Sequence, residues 1–83
     1  MATLFKQKYD DGKLGEVVEK ALNDDPSVYI TGLVVVSSKG VVRLAGNARD
    51  SLSKRHAVET AHRSIERAKL TFQRIEDEIL LMS

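Results

Sequence analysis

Gly40-Val41-Val42-Arg43-Leu44-Ala45-Gly46 is a short β-rich run with a glycine at each end. Ser37-Ser38-Lys39 stands in front of it, and Leu33-Val34-Val35-Val36 in front of that. β-branched residues suit a pleated surface and Gly40 supplies the positive φ of a tight turn, so the two runs read as the strands of a hairpin. A two-residue loop of Ser38-Lys39 pairs Val35 with Val42 and Leu33 with Leu44, which puts those residues on one face. A three-residue loop ending in a Gly40 bulge instead buries Val34 and Val36. Either register leaves some valines facing away from the helices. Gly40 and Gly46 read as turn and bulge glycines, because neither lies in a Gly-rich loop that opens a helix and could cradle a phosphate.

Upstream of the hairpin, Leu14, Val17, Val18, Ala21 and Leu22 recur at i, i+3, i+4, i+7 and i+8, one apolar stripe on an amphipathic helix. Asp10 or Asp11 caps its start, and Asn23-Asp24-Asp25 followed by Pro26 closes its end. Val28 to Ser37 is extended, with Gly32 marking a bulge or the true start of the strand. Downstream, Asp50 or Ser51 caps a second helix with Ala57, Val58, Ala61, Ile65 and Ala68 along one side and His56, Arg63 and Arg67 on its back. In the final stretch, Phe72 to Leu81, Ile75, Ile79 and Leu81 are separated by acidic residues with a period of two, which predicts a third strand. Residues 1–10, with Leu4, Phe5 and Tyr9, form a helical turn or arm, and 11–83 form a single domain. The order predicts an α+β fold, a two-layer αββαβ sandwich in which a three-stranded mixed sheet carries two helices on one face.

Eighty-three residues hold one small core, which excludes a cleft between two domains. A net charge of +1 gives no global attraction to nucleic acid or membrane, so any electrostatic binding must come from a local patch. Without cysteine there is neither a disulfide nor a thiolate metal site. The opening residues lack the apolar run of a secretory signal, so the expected location is cytoplasmic for the chain as written, or envelope or periplasm if it is excised from a longer protein.

The element order and the Val42-x-Leu44-x-Gly46 strand resemble the BON domain, the bacterial osmotic-stress and nodulation module, from about Asp11 to Leu81. Ala21-Leu22 with the acidic turn before Pro26, Gly40, Arg55 and Ala61 are similar to the family's pattern. Thr71 stands where the family usually has glycine, and Asp77 where it often has asparagine. The resemblance implies a non-enzymatic binding module that associates with membrane phospholipid or a membrane-bound partner.

The residues themselves point to no chemistry. Glu59 and Glu66 flank His62 at i−3 and i+4, but without a second histidine at helical spacing they are read as a solvated face and not as a metal site. Ser37, Ser38, Ser51 and Ser53 sit in turns and caps, and no glycine elbow activates them. Neither a catalytic residue nor a cofactor is expected. Nucleic acid is disfavoured, since the basic residues are mixed with acids and lack stacking aromatics apart from Phe72. Two surfaces remain. Lys54, Arg55 and Lys69 form a candidate basic patch for a phospholipid surface. Val34, Val36 and Val41, outward on the helix-free side of the sheet, form a candidate interface for a protein partner or for self-association into a homo-oligomer.

Overall fold

The computed structural model describes residues 8–82. Its elements run α1 (Asp11–Asp24), β1 (Ile30–Ser38), β2 (Val41–Ala48), α2 (Ser51–Arg67) and β3 (Arg74–Leu81). The sheet order is β1-β2-β3, with β1 antiparallel and β3 parallel to β2. This is the expected αββαβ sandwich. The parallel pair requires a crossover, and α2 supplies it.

Both helices are capped by the aspartate before them. Asp10 accepts from the Lys13 N–H at 3.1 Å and Asp50 from the Ser53 N–H at 2.8 Å, each satisfying a donor that the first helical turn leaves free. Leu14, Val18 and Leu22 from α1 meet Val42, Leu44 and Ala48 from β2, Ala57, Ala61 and Ile65 from α2, and Ile79 from β3 in one buried core. One correction to the core falls on α2: Ala68, placed in the stripe by its spacing, is exposed at the C-terminal cap; Thr60, outside that stripe, is buried.

The hairpin closes on Lys39-Gly40, not Ser38-Lys39. Both loop residues have positive φ, 52° and 81°, the backbone of a two-residue turn matched to strand twist. Val35 therefore faces Leu44, and Ser37 faces Val42. That differs from the expected pairing by two residues, which preserves alternation. Val42 and Leu44 are buried beneath the helices, Leu33 and Val35 are half-buried, and Val34 and Val36 point outward. A register shift between Thr31 and Val34 is the bulge expected near Gly32. Strand β3 starts at Arg74, two residues after Phe72. Of the expected arm, residues 1–7 lie outside the described residues; Tyr9 is half-buried and packs against the core.

Candidate functional site

The outward side of the sheet is laid out in rows by the register. Ser38, Val41 and Arg74 form one row, Val36, Arg43 and Glu76 the next, and Val34, Ala45 and Glu78 the third. Arg43 Nε donates to Glu76 Oε1 at 3.0 Å and Arg74 Nη2 to Oε2 at 2.9 Å, so one carboxylate is held between two guanidiniums. The Arg74 bonds, followed by those from Arg43, keep the Glu76 carboxyl below its usual range. The middle of the face is thus charged across β2 and β3, while exposed apolar groups lie along β1, where Val34 and Val36 are 51% and 50% exposed, and near the end of β3, where Leu80 is 66% exposed. Val41 is half-buried beside Arg74.

The expected basic patch does not converge. Lys54 reaches Asp77 at 3.8 Å, and Arg55 beside it is exposed. Lys69 lies just past the other end of α2, about 22 Å along the helix axis from Lys54. Arg63 and Arg67, also read as the back of the helix, border an open groove of about 590 Å³ between α1 and α2.

Two carboxylates act as ties between distant segments. Asp11 accepts from Ser37 Oγ at 2.8 Å, Lys39 N–H at 2.7 Å and Gly40 N–H at 2.9 Å, clasping the hairpin turn. Asp25 accepts from the Ser27 N–H at 2.9 Å and from Thr60 Oγ1 at 3.0 Å, and lies 3.0 Å from His56 Nε2, so the loop after α1 is tied to α2. His56, expected on the solvated back of the helix, is instead half-buried in this contact. His62 pairs with Glu66 at 3.5 Å and sets its ring edge-on to Phe72. Among the described residues no cluster of histidine, aspartate and glutamate is arranged to hold a metal.

The Gly40 amide holds the Asp11 carboxyl below its usual value, with help from Ser37 and Lys39; the Ser27 amide does the same for Asp25, helped by Thr60 and His56. A carboxyl lowered in the folded state contributes stability that is present above its unfolded value, near 3.9, and is lost as pH falls through the folded value. The thermal midpoint is expected to drop on acidification below about pH 4, and Asp25→Ala should lower the midpoint at neutral pH and flatten that acid limb. Calorimetry from pH 7 to pH 2 on both proteins checks it; parallel curves would assign the acid limb to other carboxyls.

Sequence reasoning missed one surface. At the end of the domain where β1 begins, β2 runs into α2 and β3 finishes, Tyr29, Leu52 and Met82 are 58%, 70% and 56% exposed. Tyr29 and Arg49 are common to two adjoining grooves, one bordered by Met82 and the other by Leu52. The Met82 N–H donates to the Ala48 carbonyl at 2.8 Å, fixing the end of β3 beside this tip. The available signal was Leu52, an apolar residue off the stripe of its own helix. No helix among the described residues is long and apolar enough to cross a membrane.

The sequence matches the family model described as BON domain over residues 10–69, from the cap of α1 past the end of α2. No curated protein matches the chain.

Proposed function

The chain belongs to the BON domain family, and from that membership we propose that it is a non-catalytic binding module that associates with a phospholipid surface or a membrane-bound partner. BON domains are generally non-enzymatic. The observation that supports a lipid surface is the tip, where Tyr29, Leu52 and Met82 come from separate segments and remain more than half exposed around Arg49. Large exposed apolar groups on a small domain mark a contact surface. An aromatic and two aliphatic side chains beside an arginine, whose stem is apolar and whose head suits phosphate, have the composition of an interfacial anchor. Arg55 and Lys54, in the first turns of α2, add positive charge near this end; Lys69 does not.

Sedimentation with vesicles tests the proposal. The domain is expected to pellet with vesicles containing anionic phospholipid, less so as salt rises, because exposed charges more than a Debye length apart are screened. Leu52→Asp combined with Met82→Asp should abolish most of the pelleting while the thermal transition persists. Val34→Thr with Val36→Thr should leave it unchanged. A wild-type domain that stays in the supernatant with both anionic and zwitterionic vesicles at low salt would sink the reading.

A further inference from the structure

Among the described residues, β1 is one edge of the sheet and β3 the other. The β3 edge carries Arg74, Glu76, Asp77 and Glu78, whereas β1, Ile-Thr-Gly-Leu-Val-Val-Val-Ser-Ser, has no charge and no proline. Edge strands are ordinarily blunted by charges, proline or bulges, because an unpaired row of N–H and C=O groups is a template for another strand. In β1 the bulge lies between Thr31 and Val34, and the pairing from Val34 to Ser38 is regular.

We infer that this open edge pairs with β1 of a second copy of the chain, antiparallel about a two-fold axis through Val35. The inference stands on a surface other than the tip and is independent of lipid binding. The two-residue Lys39-Gly40 loop makes Ser38 and Val41 the hydrogen-bonded pair that closes the hairpin. Alternation then turns the N–H and C=O of Val36 and Val34 toward β2, and those of Val35 and Ser37 toward the open edge. A two-fold axis at Val35 sets that residue opposite its counterpart, so that each satisfies the other's N–H and C=O. It also sets Val34 opposite the copy's Val36, and Val36 opposite the copy's Val34.

The half-exposed valines thereby form a cluster on the helix-free side of a continuous six-stranded sheet. Cross-strand pairs of β-branched residues are favourable, and an uncharged strand meets its own copy without repulsion. Face-to-face stacking of two sheets fits less well, because Arg43, Arg74, Glu76 and Glu78 cross the middle and far side of that face. Nor does bilayer hydrocarbon serve as the occupant, since it leaves the edge amides without partners.

Sedimentation equilibrium and amide exchange over a range of protein concentrations, without lipid, test this. The average mass should rise from 9.2 kDa toward twice that value. Exchange at Val35 and Ser37 should slow in step with it, while the Val34 and Val36 amides stay protected at every concentration. Val36→Lys, which places two like charges beside the axis, should weaken association about tenfold or more and keep the thermal transition. A mass that stays monomeric at the highest concentration overturns the inference. So does a dimer in which Val35 and Ser37 still exchange freely, and the wild-type exchange pattern decides even if the lysine variant does not fold.

Discussion

Ile65→Ala is expected to lower the unfolding free energy by about 2–5 kcal/mol, among the largest losses available to a single truncation in this chain. Ile65 is fully buried on the sheet-facing side of α2, in the same core as Leu44 and Ile79. Removing its side chain forfeits the transfer of that apolar surface from water and leaves a cavity walled by close-packed elements that collapse only in part. A domain of this length has roughly 4–12 kcal/mol to lose at the usual stability per residue, so the change removes a large share of it. The denaturation midpoint should fall with little change in slope, since both proteins expose almost the same surface on unfolding. Arg63→Ala, on an exposed position of the same helix, should move the midpoint little. If the arginine variant proved the weaker protein, the faces of α2 would be wrongly assigned.

The core was legible because its signals are local. The α1 stripe, Ala57, Ala61 and Ile65 of α2 and Ile79 of β3 each follow from a period that one element imposes on its own residues, whereas Ala68 and Leu81, at element ends, share the period and are exposed. The two-residue reading of the hairpin has the right inward residues although its loop lies one residue early, because a slip of two residues in pairing returns every side chain to the same face; the three-residue reading, which buries Val34 and Val36, does not. What could not be read was fixed by contacts between distant segments. Lys39 takes a left-handed conformation that a lysine seldom adopts, and Asp11, 28 positions earlier in sequence, holds its N–H. His56 looked solvated because its helix face is polar, yet its partner Asp25 belongs to the loop after α1. The basic patch failed for a related reason: Lys54 and Lys69 share a helix, but its length separates them. At the tip, Tyr29, Leu52 and Met82 are unremarkable in their own segments and become a surface only where the start of β1, the start of α2 and the end of β3 meet.

Gly40→Val should cost about 2–5 kcal/mol, because two independent penalties fall on one position. The first is the backbone: φ is 81°, where a β-branched residue is strained. The second is space, since a Cβ there would lie 2.6 Å from Cδ1 of the Tyr9 ring, which covers the turn. Rotating the strain away would break more than the turn, because the Gly40 N–H donates to Asp11 at 2.9 Å and its carbonyl accepts from the Gln73 N–H at 2.7 Å, where the chain enters β3. A cycle with Tyr9 separates the penalties. In a Tyr9→Ala background the ring is gone, so Gly40→Ala should cost only the backbone strain, about 1–2 kcal/mol, and less than in the presence of Tyr9. Ser38→Ala, on the neighbouring exposed side chain, should be nearly silent. Equal costs for Gly40→Ala with and without Tyr9, measured by chemical denaturation, would show that the ring does not press on the turn and that strain alone demands glycine there.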